Sequence, residues 1–209
     1  MLVSGGCSPL LTHSALFTIG HSNRPLPVVL EMLQAHGIGL LVDVRTIPRS
    51  RHNPQFNRDT LPAELAAHNI AYEHMPGLGG LRHPRKDSPN TGWRNESFRG
   101  YADYMQTEEF ARNREALCNL ESRWRGLEQV NRAVAIMCSE AVPWRCHRSM
   151  VADALLVRGI PVFHIMTTTK ADPHKLTSFA HVEGGRITYP GPVLNLFEPT
   201  LKARGGHEV

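Results

Sequence analysis

The chain has 209 residues, 41 % of them hydrophobic, and a formal net charge of +4. That length suits one α/β domain with a sizeable core, and the ordinary apolar content argues against a disordered chain. Four cysteines, Cys7, Cys118, Cys138 and Cys146, are too few for a disulfide-built scaffold in a chain this long, and no apolar run reaches membrane-spanning length.

The opening MLVSGGCSPLLTHS lacks the basic start and apolar core of a signal peptide. Residues 1–14 are expected to be a flexible N-terminus, with the protein cytoplasmic and its thiols free. Leu16-Phe17-Thr18-Ile19 reads as a first strand running into Gly20-His21-Ser22-Asn23-Arg24-Pro25. Ser22 or Asn23 can cap the next helix, which carries Val28, Val29, Met32 and Leu33 at helical spacing and stops near Gly37. Leu40 to Val44 is a second strand, apolar enough to be buried on both faces. It enters a long loop, Arg45 to Pro54, with three Arg and two Pro; long ordered loops in compact domains tend to be functional.

A short helix is expected from about Thr60 to His68, and a third strand over Ala71 to Met75. The Gly- and Pro-rich stretch 76–95 reads as an irregular lid or insertion. Helices follow over about Phe98 to Met105 and Glu108 to Trp124. The apolar run Ala133 to Met137 is a strand that leads through a polar turn into a helix from about Trp144 to Arg158. Pro161 to Ile165 is a last parallel strand. Gly184-Gly185 between two short β-prone runs signals a hairpin, and residues 191–209 read as an extended tail. The alternation predicts one α/β domain over 15–190, with a mainly parallel sheet, helices on both faces and a small C-terminal hairpin. Right-handed crossovers would set the ends of the strands at 16–19, 40–44 and 133–137 along one rim, where ligands bind in such folds. Their neighbour order does not follow from the sequence.

TIGHSN at 18–23, LVDVRTIPRSR at 41–51, NPQFN at 53–57, SFRGYADYM at 97–105, MCSEAVPWRCHRSMVADAL at 137–155 and PHKLTSFAHVEGGRITYP at 173–190 together resemble the DUF488 family, a group of small bacterial and archaeal proteins of unknown function. The resemblance implies a single Rossmann-like α/β domain and no particular activity.

The chemistry-bearing residues cluster at the expected rim. With the helix starting near Trp144, Cys146 lies in its first turn, where the helix dipole, Arg145, His147 and Arg148 favour a thiolate. A half-buried packing thiol is the plain alternative. Cys138 and Glu140, two apart at a strand end, point to one side. Glu140 there is a general acid or base, or an ion-pair partner for Arg145 or Arg148. Asp43 in an apolar run needs a partner, from Arg45, His21 or Arg148, and has either an acid–base or a structural role. His21 and Ser22 sit in a turn whose N–H groups can bind an anion or serve as caps. Arg49 and Arg51, with Ser50, His52, Asn53 and Phe56, make a basic loop with an aromatic, suited to phosphates and a stacked base, or else a solvated surface. Tyr101 and Tyr104, with Trp93 and Phe98, would wall the pocket or pack in the core. His174 and Lys175 would join the same rim.

Cys138, Cys146, His147 and His21 are possible metal ligands by type, but Cys-x7-Cys-His matches no strong zinc pattern. A C-x-E followed by P-x-x-C echoes zinc deaminases, yet Pro143 follows Glu140 too closely for that fold. A Cys138–Cys146 disulfide is disfavoured by the compartment. GHSNRP is neither a P-loop nor a GxGxxG, so a nicotinamide or flavin cofactor has no sequence support, and the cofactor is left unknown.

The leading expectation is an enzyme, a cysteine-dependent transferase or hydrolase, acting on a nucleotide, nucleic acid or phosphorylated small molecule. Cys146, Glu140, His147 and Asp43 would do the chemistry. His21, Ser22, Arg45, Arg49, Ser50, Arg148, Phe56 and Tyr101 would bind the substrate. A nucleic-acid-binding or repair-associated factor and a metal- or haem-binding protein are the alternatives. No membrane partner is expected, and a homodimer is left open.

Overall fold

The computed structural model describes residues 15–126 and 132–192. The expected flexible segment 1–14, and the expected tail beyond residue 192, lie outside the described residues. Six strands form one sheet: β1 (Leu16–Gly20), β2 (Ile38–Asp43), β3 (Ala71–His74), β4 (Ala133–Cys138), β5 (Val162–Ile165) and β6 (Ala171–Pro173). Their spatial order is β3-β2-β4-β1-β5-β6. The first five are parallel, and β6 runs antiparallel to β5. A separate hairpin pairs β7 (His181–Glu183) with β8 (Arg186–Thr188). Gly184 and Gly185 close it at φ 54° and 77°, the left-handed pair that a two-residue hairpin turn requires.

Five helices cover the sheet: α1 (Leu26–Ala35), α2 (Leu61–Ala67), α3 (Glu96–Tyr104), α4 (Glu108–Gly126) and α5 (Arg148–Leu156). β2 is buried at all six positions, as its unbroken apolar run demands. The two-residue period of a strand sends alternate β4 side chains to opposite faces. Val134, Ile136 and Cys138 join the core under α3, α4 and α5, while Ala135 and Met137 join the core under α1 and α2. Among the described residues, no helix is long and apolar enough to cross a membrane.

β4 lies between β1 and β2, so the three strand ends expected to share a rim are neighbours. The joins continue past the strands: His21 N–H donates to Cys138 O (3.0 Å), Ser22 N–H to Ser139 O (2.8 Å) and Val44 N–H to Met137 O (3.1 Å). Gly20 is required here, because a Cβ on it would stand 1.7 Å from the Glu140 carbonyl oxygen.

Three local expectations are corrected. α5 starts at Arg148, not near Trp144. Pro143–Arg145 forms a separate 3-10 turn, and Cys146 is extended (φ −138°, ψ 141°). The Cys146 thiol then accepts the Arg148 N–H (3.5 Å), one of the donors left free at a helix start. At α1, neither Ser22 nor Asn23 caps; the N-cap is Pro25, without a side-chain bond, and Ser22 turns the chain at φ 52°. β6 went unread because it is three residues long and ends in Pro173, which an edge strand tolerates.

Residues 76–95 are irregular, as expected, apart from a 3-10 turn at Pro76–Leu78. They are nonetheless strapped down. Asp103 on α3 accepts from Arg85 N–H (2.8 Å), Ser88 Oγ (2.6 Å) and Asn90 Nδ2 (2.8 Å). Burial pushes its acidity one way, but these bonds outweigh it and hold the carboxyl below the usual carboxylate range. α3 itself starts on Asn95, whose side chain accepts from the N–H groups of Ser97 (2.9 Å) and Phe98 (3.3 Å).

Candidate functional site

A cleft of about 480 Å³ opens at the carboxyl ends of β1, β2 and β4. His21 after β1, Arg45 to Ser50 after β2, and Cys138 to Glu140 after β4 contribute to it, with the turn from Arg145 to His147. Gly80, Leu81, Ser97 and Phe98 from the 76–98 region close its other side.

Beneath one wall is a tight ionic cluster. Asp43, fully buried, accepts from Arg45 Nε (2.8 Å), Arg45 NH2 (2.5 Å), Arg45 N–H (3.0 Å) and Tyr72 Oη (2.9 Å). Arg45 also donates to Phe56 O (2.7 Å) and to His21 Nε2 (3.2 Å). Arginine only donates, so His21 Nε2 accepts and its proton sits on Nδ1, which donates to Ser22 O (2.7 Å). Burial, then the Arg45 charge, lowers the His21 pKa to about 4. His21 is therefore a neutral ring with both nitrogens engaged, stacked on Phe56 at 4.2 Å between centroids.

The cleft floor holds a different group. Cys138 Sγ and Cys146 Sγ stand 3.9 Å and 3.8 Å from His147 Nδ1, and the three atoms lie within 4.8 Å of one another. Both thiols are buried. The hydrogen bond from Cys146, supported by His147 and the Glu140 N–H, lowers the Cys138 pKa well below that of a free thiol, against the pull of burial. The same bond and burial raise Cys146. The expected thiolate at Cys146 counted on a place within the first helical turn, whereas Cys146 lies before α5 in extended backbone. His147 is seated by Tyr101, 5.0 Å away between ring centroids, and by Gly80, where a Cβ would come within 2.4 Å of Nδ1.

Of the residues expected here, His21, Arg45, Arg49, Ser50, Glu140, Cys146 and His147 line the cleft together, with Cys138. Asp43, Ser22, Arg148, Phe56 and Tyr101 do not. Asp43 is committed to Arg45 and Tyr72. Ser22 spends its N–H on Ser139 O, so the expected anion-binding turn is closed. Arg148 is 1 % exposed and donates to the carbonyls of Glu140 and Ala141, fixing the loop from below. Phe56 lies under His21, and Tyr101 donates from the core to Leu78 O (2.9 Å). His21 also stands apart from the possible metal ligands, since both its nitrogens are used. Arg49 and Arg145 are exposed at the cleft, and neither guanidinium has a partner among the described residues. Arg145 was legible as a neighbour of Cys146 but not as a cleft residue. Asn53, expected in the basic loop, also lines the cleft, whereas Thr46, Gly80 and Ser97 carried no signal, because their place depends on how distant loops meet.

His174 and Lys175 line a second cleft of about 440 Å³, with Trp93, Trp144, His164 and Phe179, instead of the first. Below it runs a polar chain. Thr18 Oγ1 is hydrogen-bonded to His164 Nδ1 (2.7 Å), His164 Nε2 to His174 Nδ1 (2.9 Å), and His174 Nε2 donates to Asp153 Oδ1 (2.8 Å). Asp153 also accepts from Thr177 Oγ1 (2.7 Å) and Tyr189 Oη (2.8 Å). Every side chain in it is already bonded, as a chain holding the C-terminal segment to α5 should be.

Fold and site together define a parallel-sheet α/β protein with a Cys–Cys–His group at the topological rim. Residues 26–155 match the family described as "Domain of unknown function DUF488", and the chain belongs to that family. No curated protein and no solved structure matches it.

Proposed function

We propose that the chain is an enzyme acting on an anionic substrate, a nucleotide, nucleic acid or phosphorylated small molecule, held in the rim cleft. One observation carries this reading: two exposed guanidiniums, Arg49 and Arg145, without partners among the described residues, share a single cleft with Cys138, Cys146 and His147. Arginine at such a place suits the bidentate capture of phosphate or carboxylate oxygens. The sulfur and imidazole group beneath supplies the chemistry, and Glu140, a carboxylate lining the same cleft, is the candidate to accept a proton from it. Asp43 and Arg148 act at one remove, by fixing Arg45 and the 140–141 loop.

The test is a turnover screen over phosphorylated small molecules, nucleotides and oligonucleotides with the wild type, Cys146→Ala and Arg145→Ala. Turnover should vanish in Cys146→Ala, and Arg145→Ala should raise KM roughly tenfold or more, the loss of one charge-assisted bond pair. Turnover indifferent to both variants overturns the reading. Oligonucleotide binding that falls steeply with salt, without turnover, would favour a non-catalytic nucleic-acid-binding factor in its place.

A further inference from the structure

We infer that Cys138, Cys146 and His147 form a zinc site whose fourth position opens into the rim cleft. The part of this inference that gives the ion a substrate rests on the anionic-substrate reading above.

Donor type comes first. Two sulfurs and one imidazole nitrogen, with no carboxylate among them, suit a soft or borderline ion such as Zn²⁺ and exclude Mg²⁺ and Ca²⁺ as preferred occupants. Geometry agrees. With Zn–S near 2.3 Å and Zn–N near 2.0 Å, a tetrahedron has S–N edges of about 3.5 Å and an S–S edge of about 3.8 Å. The observed Sγ–Nδ1 separations are 3.9 Å and 3.8 Å, and the two sulfurs lie within the 4.8 Å that spans the group. The S–N edges have about 0.3–0.4 Å to close around such an ion.

Charge balance is favourable. Two thiolates, a neutral imidazole and Zn²⁺ sum to zero, which removes the cost of a lone buried charge. Binding displaces the thiol protons and changes no oxidation state. The outer contacts are in place in part. The Arg148 N–H rests on Cys146 Sγ at 3.5 Å, and the His147 ring is packed by Tyr101 and the bare face of Gly80, while its buried Nε2 has no hydrogen-bond partner among the described residues. Three protein ligands, with all three lining an open cleft, match the pattern of zinc sites that keep a position for water or substrate.

The experiment uses the full chain without a histidine tag, in a Cys7→Ser/Cys118→Ser background, stripped with chelator under reductant and titrated with cobalt(II). One equivalent should give a sulfur-to-cobalt charge-transfer band and the intense visible bands of a tetrahedral site, and zinc should erase both. Cys138→Ser and Cys146→Ser, each shown folded by circular dichroism, should lose the charge-transfer intensity in part, and the double variant entirely. Absence of that band in the parent protein, or its survival in the double variant, overturns the zinc site. Inorganic pyrophosphate is then added to the cobalt form and to the metal-free form. A shift of the visible bands that Arg145→Ala weakens supports an ion facing the anion cleft. Cobalt binding with no pyrophosphate effect leaves the metal standing and removes its substrate role. Arg145-dependent pyrophosphate binding without any cobalt site removes the metal and leaves the anion cleft.

Discussion

A carboxylate at zero exposure survives only when enough donors surround it, and Asp43 has four donor contacts, three from Arg45 and one from Tyr72. The need for a partner was legible in the apolar run around Asp43, and Arg45 was one of the partners foreseen. Tyr72 was not, because it arrives from the neighbouring strand β3, in register with Leu41, two residues short of Asp43. The same logic of buried polar groups makes a pH prediction at His164. Burial, then the charges of His174 and Arg148, lower its pKa from 6.5 to about 4, against the opposing pull of Asp172 and Asp153. In the unfolded chain the imidazole takes its proton near pH 6.5 and in the folded one only near pH 4. The unfolded state therefore binds more protons between those values, and stability falls as the pH drops from 6.5 toward 4, by up to about 1.4 kcal/mol per pH unit from this group. Urea unfolding across that window checks it. A midpoint that stays flat or rises on acidification contradicts a neutral, buried His164.

At the scale of elements, periodicity located each helix and each parallel strand, since a continuous apolar run or a three-to-four spacing is local information. The start of α5 escaped it. Trp144 and Arg145 are compatible with a helix, and what breaks the turn is Cys146 reaching back to the Arg148 N–H, a contact that composition does not encode. The 76–95 stretch shows the same limit. Its Gly and Pro content announced irregular backbone, but its attachment depends on Asp103, further on in α3. Removing that carboxylate in Asp103→Ala leaves the Arg85 N–H and the Ser88 and Asn90 side chains without their acceptor, at a cost of about 1–3 kcal/mol. Amide exchange at Arg85 should quicken by about tenfold or more, the factor that 1.4 kcal/mol represents if the strap opens locally. Unchanged protection there would mean that other contacts hold the segment.

For the whole molecule, the decisive feature is the insertion of β4 between β1 and β2, which gathers residues 20–22, 43–50 and 138–148 at one edge. The rim itself was legible from the handedness of parallel crossovers; the neighbour order was not, because it is set by which helices pack on which face. That arrangement also sorts the site residues. Those that keep β2 and the 140–141 loop in place turned inward, and those with free polar ends turned to the cleft.

The central claim is that this edge binds an anion directly above the two thiols and the imidazole. Crystals soaked in tungstate test it by anomalous scattering. The account predicts a tungsten peak between the guanidiniums of Arg49 and Arg145, over Cys138, Cys146 and His147. A peak elsewhere with the cleft empty, or Cys138 and Cys146 opening onto different sides of the molecule, would contradict it.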